Sequence, residues 1–483
     1  MAVVKGNAAD SVDQDLNGHQ FKMIQAKEIQ ADVTSVPISC DRVIVVGDLD
    51  LRGLECKPIT ITNSIVDGNV YMKGARFEGR LNFSNTTFMK KVVSFNSKFE
   101  GEAFFENATF NQDASFNVST FYDDCTFDLA SFRKNAFFDD NKVSGCVGFY
   151  NCNFSGIAQF YLSEFDGAYA NFEGCRFMKD LLSDNIRANT YFSFVDSHAF
   201  GDADFHSSRF TSGASFNNAT FDGYANFERS HFSEVTSFSF IEFNDTADLS
   251  YTVFDGPTYF TGSRFFGDVL TNNAQFLSPT DLIGAHFNRD LSMNSTKINT
   301  MLFDGATFSN GSRLYMAKAD ISRLMLGWNQ IKDILVYDSS AYLSLVSNYK
   351  GLGLSEADEC YYQYRYLSQE QKPWGGARLI DELAYVSCGY GVKPERPLIC
   401  SFFLIMFCMS ILWIGTGLKH PTDTDRTTSM YDALYYCIAI FFTIPLPDLR
   451  PVGRYRYVAV FLRSLSWTLF ALLIATLGKV MIK

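Results

Sequence analysis

The sequence predicts two fold classes in one chain: an all-β solenoid over residues 42–337 and an α-helical membrane domain over residues 397–483. A helical connector, residues 338–396, joins them. Three observations predict this. Phenylalanine recurs every five or six residues from Phe99 to Phe265. That ladder is gone by Leu352. Two 22-residue stretches near the C-terminus, 397–418 and 457–478, hold a single charge between them, Arg463. With 48 Phe in 483 residues, the aromatic bias alone demands a repeat.

The ladder runs from Phe99 through Phe105, Phe110, Phe116, Phe121, Phe127, Phe132 and Phe138. Val143 replaces one rung before Phe149, Phe154, Phe160 and Phe165. A one-residue slip follows at Phe172 and Phe177, and the rungs resume at Phe205. They fade through Phe276, Phe287, Ile298, Phe308 and Leu314. A step of five to six fits neither a helix at 3.6 nor a strand at 2.0. It fits a short straight edge followed by a corner. A small residue stands two before many rungs, as Ala108 before Phe110 and Ala219 before Phe221. A small and a large side chain pointing inward together suit a narrow interior. The residues between are Asn, Asp, Ser, Gly and Thr, which favour turns and solvent.

This pattern resembles the Phe-centred variant of the pentapeptide-repeat family. The resemblance implies a right-handed quadrilateral β-helix with four repeats per coil. Four repeats here take about 22 residues, so residues 42–337 make about 13 coils, a rod of about 60 Å at roughly 4.8 Å per coil. Asn-x-Thr sequences such as the one at Asn107 read as repeat filler rather than glycosylation sites. Six scattered His show no ligand spacing, so no metal or other cofactor is expected. Eleven Cys in no CxxC pair read as small apolar filler in a reducing compartment. Residues 1–41 read as a polar tail with a short helix near Phe21 and Ile29, and with no signal peptide.

The formal charge is −12. From Ala341 onward there are 14 basic and 11 acidic residues, a balance of +3, which leaves −15 for the first 340. Such a chain is not expected to bind nucleic acid through a basic surface. An acidic mimic of duplex DNA, which some pentapeptide-repeat proteins resemble, suits the −15 but not two membrane spans.

In the connector, Ser355 is placed to cap a helix whose first turn holds Glu356, Asp358 and Glu359. Tyr361, Tyr362, Tyr364 and Tyr366 make it strongly aromatic. A second amphipathic stretch, residues 379–388, stops at Gly389. Two readings stand together: a cap on the open end of the β-helix, and a coupler at the membrane interface.

The two apolar stretches are long enough to cross a bilayer core of about 30 Å. Between them, residues 429–442 are apolar but too short to span, and a re-entrant helix is the alternative at that length. Ser429 and Asp432 have capping-box spacing. Here the chain resembles the two-transmembrane pore module of the potassium-channel superfamily: outer helix, pore helix, filter, inner helix. The resemblance makes residues 429–442 the pore helix and places the filter at Thr443, Ile444, Pro445, Leu446, Pro447 and Asp448. The family's filter uses glycines to aim carbonyls at the ion. Pro445 and Pro447 stand in the glycine places and fix their own φ, so potassium selectivity is not expected. Arg450, Arg454 and Arg456 outnumber Asp448 at the pore mouth. Arg463, inside the second span, is a functional candidate or a snorkelling anchor. Ser464, Thr468, Ala471, Ala475 and Gly478 form a small-residue stripe that suits close helix packing.

The sequence therefore predicts an oligomeric membrane ion channel with a weakly selective filter. Its partners would be further copies of itself, the lipid bilayer and inorganic ions. Four-fold symmetry is implied by family resemblance. The solenoid is expected in the cytoplasm, because an untargeted domain of this size is hard to export. No catalytic residue group is evident, so no enzyme is predicted. The alternative is a membrane-anchored binding scaffold whose pore does not conduct.

Overall fold

A computed structural model describes residues 12–14, 20–420, 428–444 and 449–481. The chain divides into two units, Met1–Ala341 and Tyr342–Lys483. The first is a β-solenoid of about fourteen turns. Its strands are mostly two residues long and pair in parallel with the coil 22 residues away: Phe77 with Phe99, Phe99 with Phe121, Phe121 with Val143. Inward Phe rings stack along the axis. Phe110, Phe132 and Phe154 form one column with centroids 4.7 and 4.8 Å apart, and Phe105, Phe127 and Phe149 another at 4.7 and 5.1 Å. Each ring therefore meets the next coil face to face and its own coil edge-on, as Phe116 meets Phe105.

Two features explain the composition. Every eleven residues one corner residue takes a left-handed φ, as at Asn85, Asn96, Asn107, Val118 and Leu129. Asn tolerates that conformation, so the Asn of several Asn-x-Thr sequences is a corner residue; Asn85 (φ 59°), Asn107 (φ 54°) and Asn218 (φ 56°) are examples. The small inward position is frequently Ser, whose hydroxyl donates to a carbonyl 25 residues earlier. Ser97 reaches Met72 O at 2.6 Å, Ser163 reaches Phe138 O at 2.6 Å and Ser230 reaches Phe205 O at 2.7 Å. Cys152 and Cys175 stand at equivalent positions and donate in the same way, to Phe127 O and Phe149 O.

The break in the ladder after Phe177 is a volume exchange. One residue is inserted near Tyr169–Asn171, so Phe154 pairs with Phe177 across 23 residues. Then Ala188 and Ala199 stand in two Phe columns. Phe192 fills the space from a small-residue column, where its partners are Ala170 and Ala214. Its ring meets Phe210 edge-on at 5.1 Å. Phe194 fills the place left by Ala199, its ring stacking on Phe177 at 5.6 Å and on Phe221 at 5.7 Å.

The solenoid reaches further toward the N-terminus than the expected tail, 1–41. Strand Gln20–Gln25 pairs in parallel with Val43–Val46, and Ile38–Asp41 pairs with Ile59–Thr62. Between them α1, Ala26–Asp32, buries Ala26 and Ile29, followed by Val33. The helix expected near Phe21 thus starts five residues later, behind a strand. At the C-terminal end, strands Gln275–Asp281, Lys297–Leu302 and Asp320–Met325 run through one corner and fuse two faces into a single 24-stranded sheet. Helix α2, Trp328–Ile331, buries Trp328 and Ile331, and a last bridge joins Leu314 to Leu335.

The second unit is helical. It contains most of α3 (Ser339–Gly351), then α4 (Glu356–Glu370), α5 (Gly376–Cys388), α6 (Glu395–Ile414), α7 (Met430–Phe441) and α8 (Tyr455–Met481). Ser355 is not the expected side-chain cap. Its own backbone is already helical (φ −66°, ψ −24°), and only its carbonyl is used, by Asp358 N at 3.1 Å. Helix α5 stops at Gly389 in a left-handed conformation (φ 55°).

Candidate pore site

Two helices are long and apolar enough to cross a membrane, Glu395–Ile414 and Tyr455–Gly478. Helix α7, twelve residues, is not. It packs between them: Ala433, Tyr436, Cys437 and Ile440 join Cys408, Met409 and Leu412 of α6 and Ala459 and Leu462 of α8 in one apolar core. Its start is a full capping box. Asp432 N donates to Ser429 Oγ at 3.2 Å, and Ser429 N donates to Asp432 Oδ2 at 2.8 Å.

The outer helix ends at Ile414, four residues before the expected Leu418. The cause is a clamp that hydropathy does not register. Gly415 and Gly417 close on the ring of Tyr455, where an added Cβ would come within 2.2 Å of the hydroxyl and 2.5 Å of the ring. Beyond it, Leu418–Lys419 pairs antiparallel with Arg450–Pro451, and Val452 N donates to Gly417 O at 2.9 Å. This ribbon ties the segment after α6 to the segment before α8. The Gly-x-Gly just inside an apolar run is the signal that could have found it.

At its far end α7 turns sharply. Thr443 has φ 55°, its N–H donates to Ile440 O at 3.2 Å, and Ile444 N donates to Ala439 O at 2.8 Å. Thr443 and Ile444 are exposed. A cleft is lined by Phe441, Phe442 and Thr443 against Ser466, Trp467 and Phe470 of α8. The other four expected filter residues, Pro445, Leu446, Pro447 and Asp448, lie outside the described residues. Arg450, Arg454, Arg456 and Arg463 are all exposed, and none has an ion-pair partner among the described residues. The Arg454 guanidinium lies 5.7 Å from the Tyr455 ring centroid.

The small-residue stripe is on the outer side of α8. Ala459, Leu462, Ser466 and Leu469 are buried within the chain, while Ser464, Thr468, Ala471 and Ala475 are exposed and Gly478 is half-buried.

The connector contributes a cluster that the Tyr-rich helix only hinted at. Arg396, in the first turn of α6, donates to Tyr362 Oη at 2.7 Å and to Tyr385 O, and its guanidinium lies 4.3 Å from the Tyr385 ring centroid. Asp381 of α5 is 5% exposed and receives Arg365 Nη2 at 2.7 Å and Lys372 Nζ at 2.5 Å. These bonds hold its carboxyl below the usual carboxylate range, the Lys372 hydrogen bond first.

Residues 194–242 match the family model of pentapeptide repeats, in nine copies, and residues 398–483 match the family model described as ion channel. No curated protein and no solved structure matches the chain. Neither matched family is an enzyme family. The chain carries, in one polypeptide, a pentapeptide-repeat β-solenoid and a two-transmembrane ion-channel domain.

Proposed function

We propose that the chain is one subunit of an oligomeric, weakly selective ion channel, spanning the membrane twice with its solenoid in the cytoplasm. The observation that carries this is α7: a twelve-residue capped helix, held between two membrane-length helices and ending in a left-handed turn at Thr443. Irregular backbone at membrane depth is tolerated only against protein or a water-filled path. One such segment cannot enclose a path, so several copies are needed, four by family resemblance. The outward stripe on α8 offers the packing face. Pro445 and Pro447 deny the tight carbonyl cage that potassium requires. Arg450, Arg454 and Arg456 raise the local anion concentration at the mouth, an effect that salt weakens. Asp448 and the family precedent favour cations.

The test is the reversal potential of purified protein in a planar bilayer, first under a potassium/sodium gradient and then under a chloride gradient. A value near zero in the first is expected. A value at the potassium equilibrium potential overturns the weakly selective filter. The proline substitutions also favour a second reading, a membrane-anchored scaffold. Absence of current under every stimulus supports that reading.

A further inference from the structure

The faces of the solenoid differ sharply in charge. Each face presents three outward side chains per coil, alternating with inward ones. One face is built from strands such as Tyr169–Asn171, Tyr191–Ser193, Thr236–Ser237 and Thr258–Tyr259. It has eighteen outward positions in the six coils between Cys146 and Thr261, and only Glu173 among them is charged. The opposite face carries strands such as Leu181–Leu182, Ala203–Asp204 and Ala247–Asp248. Of its eighteen outward positions between Ile157 and Asn272, seven are acidic and none is Lys or Arg; Asp180, Asp202, Asp204, Glu228, Asp248 and Asp268 are among the seven. The coil places one further face between these two on either side, so the charge-free and acidic faces look in opposite directions.

Over these six coils the charge-free face holds four exposed apolar side chains, Tyr150, Tyr191, Val235 and Tyr259, against Tyr161 alone at the outward positions of the acidic face. Tyr191 is 42% exposed, Val235 47% and Tyr259 39%. Tyr169 and Tyr191 stack flat, 5.8 Å apart. At the adjoining corner Phe240 is 62% exposed and has φ 57°, where the same corner elsewhere uses Asn107, Asn151 or Asn218. An aromatic residue held in that conformation costs stability. Its ring lies over Gly262 of the next coil and leaves most of its surface open.

We infer that this face packs against the same face of a second copy of the chain. The inference rests on the oligomer proposed above. Residues 1–340 carry −15, so an assembly that gathers several copies must keep their carboxylates apart. Joining the charge-free faces over these six coils does so and turns both acidic faces to solvent; Asp124 and Asp128, one coil earlier on the same face, bound the contact. A self-matching face gives a two-fold contact. With that two-fold axis parallel to the rod, each coil meets its own counterpart. A single side chain near the middle of the face then lies close to itself across the contact. Cys146 lies on this face and is only half-buried, unlike the other cysteines of the solenoid.

The experiment uses the full-length chain in detergent, with Cys146→Ser as the parent, a short bis-maleimide as the probe and native mass to count copies. Val235→Cys should give covalent dimers on a denaturing gel. Asp202→Cys, on the acidic face, should give at least fivefold fewer. Adding Tyr191→Lys and Tyr259→Lys should lower the Val235→Cys yield by fivefold or more through like-charge apposition. An oligomeric particle in which Val235→Cys does not link, or links no better than Asp202→Cys, overturns this face contact and leaves the oligomer standing. A single-chain particle overturns both.

Discussion

The solenoid and the membrane unit bury their apolar residues by different means. In the solenoid, every inward Phe between Phe77 and Phe303 is at most 3% exposed, and its partners come from the same chain, one coil up or down. In the membrane unit only 22% of each span's apolar window is buried. Phe403, Ile414, Tyr457 and Val460 are 65%, 76%, 79% and 63% exposed. The solenoid is a closed account within one chain, stabilised by nearest neighbours. The membrane unit leaves most of its apolar surface open within one chain, and the proposed channel completes it with lipid and with helices of further copies. Core damage in the first should therefore be felt as local unfolding, and in the second as lost assembly.

The largest effect should come from Phe192. With Ala188 standing in a Phe column, its ring fills the space beside Phe210, and it is 2% exposed. Phe192→Ala should cost about 3–5 kcal/mol. The damage should spread along neighbouring coils without reaching the spans. Hydrogen exchange measures this: protection should fall across Ala170 to Ala214 and hold in α6 and α8. Ala188→Phe should recover at least about 1 kcal/mol in the Phe192→Ala background, because it restores a ring between Phe165 and Phe210. Equal losses in both units would break the comparison.

That exchange of volume also marks where the sequence stops being legible. The ladder was readable because a 22-residue coil returns a Phe to each edge. It was unreadable between Phe177 and Phe205, where Ala188, Phe192 and Ala199 trade sizes between columns while the interior stays full. The first coil was missed for a related reason: Gln20–Gln25 has no rung of the repeat, and only its pairing with Val43–Val46 reveals it. In the membrane unit, length and absence of charge identified both spans and the short helix between them. The end of α6 was misplaced because Gly415 and Gly417 look like ordinary apolar filler, whereas their role is to admit Tyr455. The Ser429 cap could be read because the side-chain contacts are local. Ser355 could not be judged alike, since backbone conformation decides whether a Ser caps.

A middle-sized effect tests the connector, where one buried carboxylate, Asp381, is held between two partly exposed cations. Asp381→Asn removes the anion shared by Arg365 and Lys372 and should cost about 1–3 kcal/mol at pH 7. The pH dependence has a fixed sign. The Asp381 carboxyl is held below its ordinary value by Lys372 and Arg365. Its contribution is therefore complete above the ordinary carboxylate pKa of about 4 and is lost as pH falls through the lowered folded value. Melting curves of the parent and Asp381→Asn should stand apart at pH 7 and converge in acid. A gap that stays constant down to acid unfolding would show that packing, not charge, is what Asp381 supplies.

The smallest energy should have the largest structural consequence. On α8, Ala471 and Ala475 are exposed on the side away from α6 and α7. Both sites are exposed in the single chain, so the fold of one subunit should be unchanged by Leu at either. If the stripe faces another helix, each added side chain holds the two backbones apart and costs about 1 kcal/mol of packing. That is too little to unfold a domain. Repeated at each symmetric contact of a ring, it is enough to shift the balance between assembled and separate chains. Native mass in detergent should therefore show the Ala471→Leu/Ala475→Leu double variant falling to smaller species, while the melting of its solenoid stays within about 0.5 kcal/mol of the parent. Unchanged mass would mean that the stripe faces lipid, and that the membrane unit closes its assembly through some other surface of α6 or α8.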